Sequence, residues 1–182
     1  MFYKMIENKC KEWYDSKHCT VHSLIEYITK TGQMRDAQIE AIKVYLFLKI
    51  GCECKPLEYL FRYGCFNSIN LNNVELSTSA REYLEENPGA TALFEYACLT
   101  NDKGEQVSEK LEKQIKNNPS SIDYDGFFRN VFYGVSYSDY LFSLPMGAGK
   151  TYLMAAFIYL DLYFALNEPT NPAFAHNFII FA

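Results

Sequence analysis

Residues 145–151 read Pro-Met-Gly-Ala-Gly-Lys-Thr, and these are residue types that hold phosphate. Backbone N–H groups in a glycine turn close round an anion only where no Cβ intervenes, so Gly147 and Gly149 are candidate contacts. A helix starting directly afterwards adds partial positive charge at its N-terminus. Lys150 supplies a mobile ammonium for the β- and γ-phosphates of a nucleoside triphosphate and is the candidate catalytic residue. The Thr151 hydroxyl is the candidate ligand for an accompanying Mg2+. Pro145, Met146 and Ala148 complete the loop as candidate nucleotide contacts.

Such a loop needs an element on each side. Tyr140, Leu141, Phe142 and Leu144 form a short apolar run suited to a buried strand, which Pro145 ends. From Tyr152 to Leu166 there is no Gly or Pro and nearly every residue is apolar, the pattern of a helix covered on several sides. The general P-loop pattern is G-x-x-x-x-G-K-[ST], and here Leu144 stands at its first glycine. A chance Gly-Ala-Gly-Lys-Thr turn would not require a strand before it and a helix after it.

A second informative place lies upstream. The spacing predicts a helix from Met34 to Ile50, closed by Gly51, with Ile39, Ile42, Leu46 and Ile50 inward. Arg35 and Gln38 lie one turn apart on one face near its start. A glutamine amide offers one donor and one acceptor, which matches the N7/N6 edge of adenine. Taken alone the pair reads equally well as a solvated polar face.

Together, Met34–Ile42 and Ser143–Thr151 give the chain a resemblance to the N-terminal part of a DEAD/DEAH-like superfamily 2 helicase. The first motif of that superfamily commonly reads x-P-x-G-x-G-K-T, and many members hold adenine with an upstream Arg-x-x-Gln. The chain looks most like the helicase subunit of type III restriction enzymes and related phage-defence helicases. The resemblance implies an α/β fold: an incomplete P-loop NTPase (RecA-like) core with a large, mostly helical N-terminal region and insertion. It implies ATP and Mg2+ as cofactors, and DNA or RNA bound through parts of a parent protein beyond residue 182. Protein subunits of a defence complex are further implied partners. The strand expected at 177–181 would be the next core strand.

Two departures shape the domain reading. Gln38 and Gly147 are far more widely separated than in compact members, so an insertion is expected between them. The expected parts are N-terminal helices at 1–50, a mostly helical insertion at 51–137 and the start of the ATPase domain at 138–182. The Asp-Glu pair that activates water and the arginines that face the γ-phosphate have no counterpart here. Phosphoryl transfer depends on assembling all these charges. The expectation is therefore an ATP-binding piece of a larger ATPase. The alternative is a non-enzymatic truncated P-loop protein whose insertion is a protein-interaction module. A small phosphotransferase would need lid arginines after the loop, yet Lys150 is the last Lys or Arg in the sequence.

Composition bounds the rest. The 182 residues suit one compact domain or one with a small appendage, and 49% hydrophobic content with 15 Tyr and 14 Phe is enough for a core. A net charge of −5 makes a poor nucleic-acid binder unless basic residues cluster. The Lys-rich stretch 109–116 alternates with Glu and reads as a solvated helix face. No signal peptide is evident, and the apolar stretch 152–166 is too short for a membrane span and contains Asp161. A soluble, cytoplasmic protein with no membrane partner is expected. Cys52-x-Cys54 and His18-Cys19-x-x-His22 give no clean four-ligand spacing, so reduced thiols rather than zinc are expected. Helices are further predicted over 1–15, 21–30 (capped by Thr20), 57–63, 77–86 (capped by Ser77 or Ser79), 90–99, 107–117 and 125–133, with a turn at 87–89.

Overall fold

The computed structural model describes residues 2–135 and 137–180. Its α-helices are α1 (Phe2–Tyr14), α2 (His22–Thr31), α3 (Asp36–Leu46), α4 (Leu57–Arg62), α5 (Thr78–Glu86), α6 (Pro88–Cys98), α7 (Glu109–Asn117), α8 (Tyr124–Val131) and α9 (Lys150–Asn167). A π turn, Phe47–Gly51, follows α3. None of the described helices is long and apolar enough to cross a membrane.

The expected α/β, RecA-like core is not formed. The structure is 60% helical with 1% strand, and the described residues form no sheet. Among the described residues the strand content is an isolated antiparallel bridge between Thr100 and Gln106. The reason is physical. A strand exists through the ladder that pairs its N–H and C=O groups, and an isolated one has no stability of its own. Residues 140–144 and 177–180 have no strand beside them and stay irregular. Nor are they buried: Leu141 is 93% and Ile179 82% exposed. Phe181, the last residue of the second expected strand, lies outside the described residues.

The chain divides into two compact units, Met1–Lys9 with Lys55–Asp139, and Cys10–Cys54 with Tyr140–Ala182. The first is built from α4 to α8 round an aromatic core. The Phe61 ring stacks on Phe132 at 5.2 Å, and Phe2 stacks on Tyr96 at 3.9 Å. Phe66, Phe94 and Phe128 are fully buried. The buried Glu95 carboxylate accepts from the Ser68 and Ile69 N–H groups at 2.8 and 3.0 Å, which removes the penalty of an unpaired buried charge. Helix α5 starts where Ser77 Oγ accepts from the Ala80 N–H, and α7 where Ser108 Oγ accepts from the Leu111 N–H. The expected turn at 87–89 is instead the start of α6, with Pro88 in its first turn.

The second unit is built on α2, α3 and α9. The residue before α2 is Val21 rather than Thr20, and no side chain caps it. Helix α3 is shorter than the predicted 34–50 because the π turn takes over at Phe47. Ile39 and Ile50 are only half-buried, while Ala41, Ile42, Tyr45 and Leu46 are buried. Gln38 meets Gly149, and further along Tyr45 stacks on Phe157 at 4.2 Å. The contacts advance in the same sense on both helices, so α3 and α9 run side by side in one direction. Although α9 is apolar nearly all round, it buries one stripe, Leu153, Ala156, Leu160, Asp161, Phe164 and Ala165. Met154, Tyr159, Leu162 and Leu166 remain exposed, so it is covered on fewer sides than expected.

Candidate phosphate-binding loop

The loop begins as a tight turn in which the Ala148 N–H donates to the Pro145 carbonyl at 3.3 Å. Gly147 and Gly149 both adopt left-handed conformations, with φ of +75° and +78°. This is the region that glycine enters without steric cost. A Cβ on Gly149 would meet Gln38 Nε2 at 2.5 Å, whereas one on Gly147 would meet nothing within 4 Å. Gly149 is therefore glycine for two reasons and Gly147 for one.

Gly149 is the N-cap of α9, and no side chain caps that helix. The N–H groups of its first turn, Lys150, Thr151 and Tyr152, have no intrahelical acceptor in any α-helix. They form a cradle with donors and partial positive charge but no side-chain oxygen in place. Lys150 and Thr151 are exposed at this end. Lys150 has no ion-pair partner among the described residues. Met146 is 95% exposed and Pro145 is exposed too, while Ala148 is buried under the turn.

Arg35 and Gln38, the upstream pair, reach this loop. Arg35 Nη1 donates to the Gly147 carbonyl at 2.5 Å, and Gln38 Nε2 donates to the Gly149 carbonyl at 3.1 Å. The start of α3 explains how. Arg35 is the N-cap, and its N–H donates to Gln38 Oε1 at 2.9 Å, so the amide folds back on its own helix end with its nitrogen aimed outward. Gln38 is only 4% exposed. Both halves of its amide are engaged, and one N–H and one lone pair remain.

Farther along the same two helices lies a polar cluster that sequence reasoning missed. Asp161, 2% exposed, accepts from Tyr45 Oη at 2.6 Å on one oxygen. Its other oxygen accepts from Lys49 Nζ at 3.2 Å and from the Ala175 N–H at 3.0 Å. Lys49 also donates to the Ala173 carbonyl. Burial, reinforced by the bond to Asp161, pushes the Tyr45 phenol well above its ordinary range. One signal was available: Asp161 is the only charged residue between Tyr152 and Leu166.

A concavity of about 520 Å³ lies elsewhere in this unit, lined by Ser23 and Tyr27 of α2, Tyr159 and Tyr163 of α9, and Glu168. None of Arg35, Gln38 or residues 145–151 lines it, and it offers no cation to an anionic ligand. The chemistry of the glycine loop, rather than the size of a cavity, marks the candidate site. No family model matches the chain, and no curated protein or solved structure is similar to it.

Proposed function

We propose that residues 145–151 bind the phosphates of ATP with Mg2+, and that the chain is the ATP-binding segment of a nucleic-acid-dependent ATPase of the helicase type. One observation carries the nucleotide reading. Arg35 and Gln38 hydrogen-bond to the Gly147 and Gly149 carbonyls across separations of 112 and 111 positions. The wider reading rests on the resemblance of residues 34–42 and 143–151 to helicase motifs. In a restriction or phage-defence assembly, DNA or RNA and protein subunits would engage other parts of the parent protein.

The residues present fit a phosphate group. The Lys150, Thr151 and Tyr152 N–H groups lack intrahelical acceptors and converge at a helix start. Lys150 adds a full charge beside them, and the Thr151 hydroxyl offers a metal ligand. Bound Mg2+ supplies neutralisation of the β- and γ-oxygens. The remaining N–H and lone pair of Gln38 match an adenine edge. The residues of this loop and of Arg35 and Gln38 act in binding and positioning. No Asp-Glu pair follows the loop, and no arginine follows it to steady a transition state.

Titration with a fluorescent ATP analogue tests the reading. Lys150→Ala should weaken binding at least tenfold with an unchanged far-ultraviolet circular dichroism spectrum. Equal affinity for both proteins would overturn it. Gln38→Ala should weaken ATP binding by about 1–3 kcal/mol, since an unpaired amide group costs that much, and should reduce the preference over GTP.

A further inference from the structure

We propose that Asp161, with Tyr45 and Lys49, is a register lock that positions the glycine loop against α3. The functional consequence of this lock rests on the nucleotide reading of that loop; the lock itself does not. Helices α3 and α9 touch at two polar points. The first joins Arg35 and Gln38 to the loop carbonyls. The second is the Asp161 carboxylate, whose two oxygens take three donors from three stretches of chain: Tyr45, Lys49 and Ala175.

The contacts between the two points are apolar. Tyr45, Phe142 and Phe157 pack as an aromatic trio, with Tyr45–Phe157 centroids at 4.2 Å and Phe142–Phe157 at 4.9 Å. Apolar faces specify burial but tolerate sliding and rotation, whereas a buried charge has few acceptable geometries. Turning α9 by one residue would rotate its face by about 100°. That would strip Asp161 of its donors and carry the Gly149 carbonyl away from Gln38. The π turn serves the same geometry. Lys49 lies within it, four residues after Tyr45, so both side chains project from one side and meet the same carboxylate.

Asp161 is a positioning residue. It lies twelve positions beyond Gly149, about 18 Å along the helix axis, too far to touch a phosphate held at the loop. It also fastens the chain after α9, through the Ala175 N–H and, by way of Lys49, the Ala173 carbonyl.

The test separates a lock from mere stability. The triple variant Tyr45→Phe, Lys49→Met, Asp161→Leu removes every charge and hydroxyl of the cluster while keeping apolar burial. Site-resolved amide hydrogen exchange would follow Arg35, Ala148 and Leu153, whose acceptors are Gln38 Oε1, the Pro145 carbonyl and the Gly149 carbonyl. The Ile25 amide, bonded to the Val21 carbonyl in the same unit, is the control. The lock predicts at least tenfold faster exchange at the amides of Arg35, Ala148 and Leu153, at and beside the loop, with Ile25 unchanged. It also predicts at least tenfold weaker binding of the fluorescent ATP analogue. Unchanged exchange at those three amides overturns it. Should the triple variant fail to fold, Asp161→Asn keeps the shape and the Tyr45 acceptor but turns an N–H2 toward Lys49 or Ala175. It is read by the same exchange measurement with the same two outcomes. If the unaltered protein binds no nucleotide, the reading of the loop fails while the exchange data still decide the lock.

Discussion

Gly147 and Gly149 share a left-handed backbone, yet a side chain would meet different surroundings at each. At Gly147 an added methyl group enters open space, so Gly147→Ala should cost only the left-handed penalty of about 1–2 kcal/mol. At Gly149 the same penalty is joined by a clash with Gln38 Nε2 at 2.5 Å. Gly149→Ala should lose clearly more, with denaturant midpoints measuring both; equal losses would show that Gln38 is not held against the loop. At this scale the sequence was informative where chemistry demands a residue type. Gly147 and Gly149 could be singled out because a tight turn at positive φ leaves few substitutes for glycine. Asp161 could not be assigned a partner, since its donors come from Tyr45, Lys49 and Ala175, which no local pattern links to it.

One helix start was legible from its cap. Ser77 and Ser79 were both readable as the cap of α5, and it is Ser77 that accepts from the Ala80 N–H at 3.2 Å. Thr20 looked equally suitable, but the chain turns into α2 at Val21 without a side-chain cap. The two hydroxyls should therefore behave differently. Ser77→Ala should cost about 1 kcal/mol and Thr20→Ala close to nothing, with thermal midpoints as the measurement. Similar losses at both sites would show that Thr20 has a role not visible in its bonding. The strands failed for a reason of the same scale. An apolar run such as 140–144 has the composition of a buried strand, but pairing is a property of two segments. Without a neighbour, Leu141 is exposed rather than buried. The π turn after α3 was equally hidden, because Phe47–Gly51 has no signature distinguishing it from a helix closed by glycine.

Both compact units bury groups that hold their protons more tightly when folded. In the first, burial and the neighbouring Glu112 push the Cys98 thiol from the ordinary 9.0 up to about 11, and burial raises the Tyr124 phenol. In the second, the Tyr45 phenol is raised by burial and by Asp161. A raised pKa stabilises fully below the unfolded value and is lost as pH rises through the folded one. Stability should therefore be level at neutral pH and begin to fall above pH 9.0, through the Cys98 window that ends at about 11. The decline should steepen above about pH 10, where unfolded tyrosines ionise. Denaturant unfolding at stepped pH checks this. Cys98→Ala should flatten the first part of the decline and Tyr45→Phe the second, and a pH-independent midpoint from 9.0 to about 11 would contradict the assignment.

The sequence by itself determined what depends on near neighbours along the chain. Examples are the serine-capped helix α5, the glycine loop and the helix that follows it, and the Arg35–Gln38 pair at a helix start. Each rests on periodicity, on a cap two or three residues away, or on glycine's access to positive φ. Tertiary structure alone decided whether the apolar runs pair into a sheet, which face of the evenly apolar α9 is covered, and what surrounds Asp161. The physical reason is common to all three. A ladder hydrogen bond, a buried face and a buried charge are each defined by a second segment, and that segment's position is set by the packing of the whole unit.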